Sequence, residues 1–273
     1  MIRFIILVGY FELSMYLQLS GKLDQYINTH YAYLAYISMV LSFVLAIVQL
    51  VIWVKNMKLH SHLQGKLGKL AKFASPIILA IPVLVGLLIP TVTLDSTTVS
   101  AKGYHFPLAA GSAGTVSEDG TTVQYLKPDT SLYFTSSAYK KEMQKELKQY
   151  EGTGPVKITT DNYMEVMELI YVYPDAFTGR EITYTGFVYN EPGHEGYQFL
   201  FRFGIIHCIA DSGVYGLLTT GNDTSYPNNT WITATGTISL EYNQTLEQTL
   251  PVLHITEMKK TNEPKNPYVY RVF

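Results

Sequence analysis

Cysteine is almost absent from this chain, since Cys208 is the only one in 273 residues. A lone cysteine excludes an internal disulfide and a zinc site built from several thiolates. The chain also lacks the G-x-S-x-G, H-E-x-x-H, Walker and G-x-G-x-x-G patterns, which carry nucleophilic, metal-dependent, phosphate-binding and dinucleotide-binding chemistry. These absences predict that the protein is not an enzyme.

Charge is scarce at the start of the chain and is unevenly divided. Residues 1–94 contain seven basic residues but only two acidic ones, Glu12 and Asp24, whereas residues 95–273 contain 13 basic and 20 acidic residues. Such an asymmetry indicates two segments in different environments. The acidic second part argues against nucleic acid as a partner, because neutralising phosphates requires a basic surface.

Three long hydrophobic runs lie in the first part, at about residues 2–19, 31–54 and 73–94. Each has about the 20 residues that a helix needs to cross a bilayer. The sequence therefore predicts a transmembrane region of three helices over residues 1–94, surrounded by lipid. The first run could instead be a cleaved signal peptide, but Glu12 interrupts it and no small-residue cleavage site follows, which favours a retained helix.

The loop at residues 55–72 predicts the orientation, because it contains five lysines and no acidic residue. An excess of lysine marks the cytoplasmic side of a membrane. We therefore expect a multi-pass protein of the cell membrane with a cytoplasmic N-terminus. Everything after the third run is then extracytoplasmic.

Glu12 lies near the middle of the first run. A carboxylate at that depth costs about 2.5–3.5 kcal/mol on insertion scales, so it usually faces a partner or an aqueous path. Either Glu12 is a functional residue, linked to ions or in polar contact with another membrane subunit, or it stays protonated or reaches the interface beside Gln18. It is the intramembrane functional candidate.

The second part predicts an α+β extracytoplasmic domain. Residues 95–135 are rich in Gly, Ser, Thr and Pro and are typical of a linker. Helical patterns at 136–150 and 163–173 are followed, over about 180–260, by five runs of β-branched and aromatic residues separated by turn formers. This spacing favours a five-stranded OB-like β-barrel within residues 136–273, with a flattened sandwich as the alternative.

Four side chains near the second predicted strand are candidates for binding a ligand or metal: Arg202, His207, Cys208 and Asp211. Imidazole and thiolate groups suit zinc or copper, so a divalent metal is one candidate cofactor. Strand alternation would send His207 and Cys208 to opposite faces, however. The alternative is a buried Cys208, a hydrogen-bonded His207 and an Asp211 that caps the turn.

Four segments carry a resemblance to a known family: LDSTTVSAKGYHF at 94–106, YLKPDTSLYF at 125–134, RFGIIHCIADSGVYGLL at 202–218 and PYVYRVF at 267–273. The chain resembles bacterial membrane proteins regarded as the smaller subunit of a two-component permease. The resemblance implies three N-terminal spans, an extracytoplasmic domain and a larger polytopic permease-like partner. Relatives often carry a His- and Asp-rich run between the second and third spans, whereas this loop has only His60 and His62.

Two functional hypotheses follow from the sequence. The first is an accessory permease subunit whose outer barrel gates or presents a solute, such as a metal ion, to the larger partner. The second is a stand-alone, membrane-anchored module that binds or senses a ligand or metal near His207 and Asp211. A third possibility, a membrane-anchored enzyme, is disfavoured because the sequence contains no recognisable set of catalytic residues.

Overall fold

The computed structural model divides the chain into two compact units, Met1–Val92 and Thr93–Phe273. The residues that it describes are 1–55, 69–89, 92–102, 136–193, 196–221, 225–244 and 248–271.

The first unit contains the helices α1 (Ile2–Leu19), α2 (Ala32–Lys55) and α3 (Lys69–Leu88). Its predicted first two hydrophobic helices are confirmed: both are long and apolar enough to cross a membrane. Leucine, isoleucine and valine are frequent in both helices, and a helix satisfies its own backbone hydrogen bonds, as a membrane span requires.

The third predicted span is not confirmed. Helix α3 ends at Leu88. Its described apolar part, Ala74–Leu88, is shorter than 18 residues, which is short for a membrane span. Residues 92–95 that follow are not helical. The helix contains Pro76 and Pro82, while Pro90 lies outside the described residues.

Helix α1 packs against both α2 and α3. A Cβ built on Gly9 would lie 2.7 Å from a Val83 methyl group, and one on Gly86 would lie 2.8 Å from a Leu13 methyl group. Glycine thus permits a close approach of α1 and α3, as small residues do in membrane helix pairs.

The described residues of the second unit form three α-helices and seven strands. The helices are α4 (Ser96–Lys102), α5 (Ser136–Leu147) and α6 (Tyr163–Val172). The strands are β1 (Val156–Lys157), β2 (Glu181–Tyr189), β3 (Gln198–Ile205), β4 (Gly213–Thr220), β5 (Trp231–Asn243), β6 (Gln248–Lys260) and β7 (Val269–Tyr270).

Five of these strands close into a barrel in the order β2-β5-β6-β4-β3, with β3 pairing back to β2. The contact between β4 and β6 is parallel, and the other four are antiparallel. The register of β5 on β6 shifts between Thr235 and Gly236, as expected where a bulge bends a strand. The predicted closed five-stranded barrel is therefore confirmed, and the sandwich alternative is wrong.

Helix α6 is buried on more than one face and supplies tyrosines whose hydroxyls bind strand backbone. The Tyr163 hydroxyl donates to the Tyr215 carbonyl at 3.0 Å, and the Tyr171 hydroxyl donates to the Gly216 carbonyl. From β2, the Tyr184 hydroxyl donates to the Leu200 carbonyl and accepts from the Leu217 amide, both at 3.2 Å. These bonds let buried tyrosines satisfy their polar ends.

The predicted linker at 95–135 is wrong at its start. Residues 96–102 form helix α4, and Val99 is buried in the barrel unit's core. The Asp95 carboxylate accepts from the Thr97 amide at 3.0 Å, and the Asn229 side chain accepts from the Ser96 amide at 2.8 Å. These two bonds satisfy amides that a helix start leaves without partners. Residues 103–135 lie outside the described part.

Candidate functional site

The turn after β3 contains three of the candidate side chains. The sequence predicts a strand through Ala210, but β3 ends at Ile205 and a short 3-10 helix occupies Ile209–Asp211. The physical reason is Asp211, whose carboxylate accepts from the His207 amide at 2.9 Å and the Cys208 amide at 3.0 Å. These two amides therefore bind a side chain instead of a neighbouring strand.

Asp211 also holds the His207 ring. The distance from His207 Nδ1 to Asp211 Oδ2 is 2.8 Å, and the two side chains are 40% and 32% exposed. A carboxylate that binds one ring nitrogen fixes the orientation of an imidazole, as in many metal and proton-transfer sites. His207 and Cys208 do not alternate across β3 as predicted, because the strand ends at Ile205.

Cys208 begins the short helix and is half-buried. Its side chain accepts from the backbone of Asp211, while the Asp211 side chain accepts from the backbone of Cys208. This reciprocal pair is the capping box of helix starts. Across the part of the chain that the structure describes, no three His, Cys, Asp or Glu side chains are placed to hold a metal ion together.

Arg202 lies on β3 but is only 2% exposed. Its guanidinium donates to the carbonyls of Asn266, Pro267 and Tyr268 and to the Thr160 hydroxyl, at 2.9–3.2 Å. Burial lowers the pKa of this guanidinium from its ordinary value. The side chain thus connects the barrel wall to the segment before β7.

Glu12 is exposed on α1. Well-exposed apolar residues lie three, four and seven residues from Glu12 along the helix: Met15, Tyr16, Leu19 and Ile5. Because this spacing matches the helical repeat, these side chains and Glu12 form one stripe along α1. We call these five residues the α1 stripe.

Sequence reasoning missed a second polar cluster, in which Arg271 contacts Glu168 at 2.8 Å and Glu146 at 3.3 Å. No local pattern indicates it, since its members come from α5, α6 and the residue after β7. The one sequence signal at Arg271 is its position in the PYVYRVF segment, which carries the family resemblance.

His254 forms a further polar contact on the barrel surface. Its Nδ1 lies 3.1 Å from the Thr220 hydroxyl, and its Nε2 contacts Glu241, which also accepts from the Ser239 hydroxyl at 2.7 Å. The other histidines of the outer part and the loop histidines fall outside the described residues: His60, His62, His105 and His194.

A pair of apolar helices followed by a closed barrel defines this chain as a membrane-associated protein with a separate barrel domain. Comparison with known sequences identifies the family to which the chain belongs. The DUF1980 N-terminal domain profile matches residues 2–105, and the DUF1980 C-terminal domain profile matches residues 133–271. The chain belongs to the DUF1980 family.

Two relatives match the chain along its whole length and theirs. One, from Streptococcus mutans serotype c (strain ATCC 700610 / UA159), is 72% identical over 275 residues and is named "Putative two-component membrane permease complex subunit". The other, "UPF0703 protein YcgQ" from Bacillus subtilis (strain 168), is 35% identical over 290 residues. The family resemblance expected from the sequence is therefore confirmed.

Proposed function

We propose that this protein is the membrane-anchored accessory subunit of a two-component permease and that it binds a larger polytopic partner through the α1 stripe. The observation that carries the proposal is the exposure of Glu12 on a helix apolar enough to cross a membrane. The name of the 72% identical relative, which describes a two-component complex, supports it.

The α1 stripe suits a protein partner better than lipid. Leu19 is 81% exposed and Ile5 55%, so α2 and α3 leave this face uncovered. An ionised carboxylate facing hydrocarbon is costly, whereas one that faces a donor on a neighbouring helix is not. The partner we infer is a transmembrane helix with a cationic or hydrogen-bond-donating side chain opposite Glu12.

We infer that α3 is the third span and that the barrel unit is extracytoplasmic. Helix α3 runs for 20 residues, and a helix of that length is about 30 Å long, close to the hydrocarbon thickness. The lysine-rich segment 55–72, which includes the first turn of α3, supports a cytoplasmic location for that end of the helix. The N-terminus is then cytoplasmic as well.

The barrel's strand order, with β4 parallel to β6, supports the OB-like assignment. In this role the barrel gates or presents a solute to the partner. His207 and Asp211 are the proposed contact residues because they are accessible and fixed relative to each other. Cys208 borders them, and Arg202 supports the wall from inside. A divalent cation is one candidate solute, since imidazole and carboxylate groups bind such ions.

Affinity purification of the tagged full-length chain from native membranes, in mild detergent, tests the proposal. We expect a polytopic membrane protein in stoichiometric amount, identified by mass spectrometry. Glu12→Gln keeps the shape of the side chain but removes its charge, and we expect less co-purified partner. Glu142→Gln, at a half-exposed position of α5, is the matched control. Recovery of the chain alone or as a homo-oligomer would contradict the proposal.

The stand-alone binding module is the second candidate, and the half-exposed His207–Asp211 pair favours it. Metal analysis of the purified full-length chain separates the two ideas, with His207→Ala as the test variant and His254→Ala as the control. Stoichiometric metal that is lost only in His207→Ala, from a chain that purifies alone, supports this module. Absence of stoichiometric metal from the wild-type chain and from His254→Ala would exclude a metal-binding module.

A further inference from the structure

Arg271 joins two helices of the barrel unit within a buried junction. Its Nη1 lies 2.8 Å from Glu168 Oε2 on α6, and its Nη2 lies 3.3 Å from Glu146 Oε2 on α5. The Arg271, Glu168 and Glu146 side chains are 6%, 8% and 14% exposed. Helix α5 is therefore attached to α6 through a buried guanidinium.

A third carboxylate unbalances this junction. Glu165 lies one turn before Glu168 on α6 and acts electrostatically on Glu146. Its Oε1 atom is buried and, within the described residues, has no hydrogen-bond partner. When all three glutamates are ionised, three negative charges oppose the one buried positive charge among the described side chains of the junction, since Lys145, which also acts on Glu146, is exposed. Because a buried charge without compensation is costly, the junction favours the uptake of positive charge.

Tyr215 provides an independent sign of a site that takes up a small group. This residue on β4 is 6% exposed, and its hydroxyl has no hydrogen-bond partner among the described residues. Burial, and after it the Glu168 carboxylate, raise the pKa of this hydroxyl. A buried hydroxyl without a partner is unusual. Here it lies where the charges of Glu168 and Arg271 both act on it.

We propose that this junction is a proton-binding site in which Glu146 takes up the proton, and that α5 docks on α6 when Glu146 is neutral and loosens when it ionises. Glu146 makes the longer contact with Arg271, at 3.3 Å against 2.8 Å for Glu168. It therefore gains less from being charged. A proton fits better than a metal, because the described residues place no three candidate ligands together.

The electrostatics of Glu146 agree with this assignment. Desolvation raises the pKa of Glu146 above its ordinary value of 4.5, Arg271 opposes the rise, and Glu165 and Glu168 add to it. A group whose pKa is raised by folding stabilises the fold below its ordinary pKa, and this stabilisation is lost as the pH rises through the raised value. Docking of α5 is therefore strongest in acid.

The other titratable groups at this junction do not reverse the sign. Tyr150, in the turn after α5, has a phenol pKa raised by burial, so it stays neutral at the relevant pH. Glu142 and Lys145 form an exposed pair with each other at 2.9 Å on α5. Glu146 is thus the group whose ionisation changes the charge of the α5 contact.

Hydrogen exchange of the full-length chain in detergent, from about pH 5 to about pH 8, tests the proposal. Dividing wild-type rates by those of Glu146→Gln at each pH cancels the intrinsic pH dependence of exchange. We expect the protection of amides 141–147 against exchange to fall in the wild type as the pH rises. The fall is roughly tenfold for each pH unit by which the pKa of Glu146 is raised. Glu146→Gln keeps its protection, and Glu142→Gln follows the wild type.

A second variant strengthens the test if Glu146→Gln should perturb packing. Glu165→Gln removes one repelling charge, so the loss of protection with pH becomes smaller than in the wild type. Two results would overturn the proposal. One is wild-type protection of α5 that does not change with pH, and the other is a Glu165→Gln variant whose protection falls with pH as steeply as that of the wild type.

Discussion

The Arg202 guanidinium lies 5.5 Å from the centre of the Tyr163 ring, so a charged group of β3 stacks on the first turn of α6. The same guanidinium donates only to uncharged acceptors among the described residues, most of them carbonyls of the segment before β7. One side chain thus holds the barrel wall, α6 and the C-terminal segment together.

Replacing Arg202 by methionine keeps the volume but removes these donors. Buried carbonyls that lose their partners destabilise a fold by about 1–3 kcal/mol each. We therefore expect a lower melting temperature for the full-length chain in detergent, together with faster hydrogen exchange at residues 266–270. Lys259→Met, at an exposed position, is the control. Equal melting temperatures for the two variants would contradict this role.

Gly216 is the glycine least able to accept a side chain among those in the described strands. A Cβ there would overlap the carbonyl oxygen of Leu200 on the neighbouring strand. We expect Gly216→Ala to separate β3 from β4 and to destabilise the barrel by more than about 3 kcal/mol. Gly154→Ala is the matched control, because the added methyl group meets open space. Circular dichroism during heating measures both, and similar melting of the two variants would contradict the prediction.

Gly9 sets the distance between α1 and α3. Because a Cβ at this position would lie 2.7 Å from a Val83 methyl group, Gly9→Leu should force the two helices apart. We expect a lower melting temperature of the full-length chain in detergent, whereas Met15→Leu on the α1 stripe should leave it unchanged. A Gly9→Leu variant as stable as Met15→Leu would show that the contact does not matter.

Glu241 predicts a dependence of stability on acid pH. The Ser239 hydroxyl, followed by His254, holds the pKa of the Glu241 carboxyl below its ordinary value of 4.5. A lowered pKa stabilises the fold above the ordinary value, and this contribution is lost as the pH falls through the folded-state value. Glu241→Gln should therefore melt earlier than the wild type at neutral pH, and the difference should shrink as the pH falls below 4.5 and through the folded-state value. Glu257→Gln is the exposed control on β6.

The prediction would be contradicted if the difference in melting temperature between the wild type and Glu241→Gln grew on acidification. It would also be contradicted if Glu257→Gln gave the same difference at every pH.

Local patterns in the sequence account for most of the helices and strands. The first helix begins and ends where its hydrophobic run does, at Ile2 and Leu19, because hydropathy is a local property. The alternation of β-branched and aromatic residues likewise predicts the five barrel strands. The length of β3 was missed, because the Asp211 carboxylate binds two amides of the predicted strand.

Contacts between distant residues account for what the sequence could not predict. Arg271 and Glu146 are 125 positions apart, and no periodic pattern connects them. Arg202 has the chemistry of a ligand-binding residue, but the carbonyls that surround it come from 64–66 positions later in the chain. Helix α4 was mistaken for linker because its packing and capping partners, which include Asn229, also lie far away.

Site-specific cross-linking from α1 tests the central claim most directly. A photoreactive residue at Met15 lies on the exposed α1 stripe, whereas one at Leu13 faces Gly86 of the same chain. After irradiation of cells, we expect Met15 to give an adduct with a polytopic membrane protein and Leu13 to give none. A partner that co-purifies but reacts from neither position, or equally from both, would contradict docking on the α1 stripe.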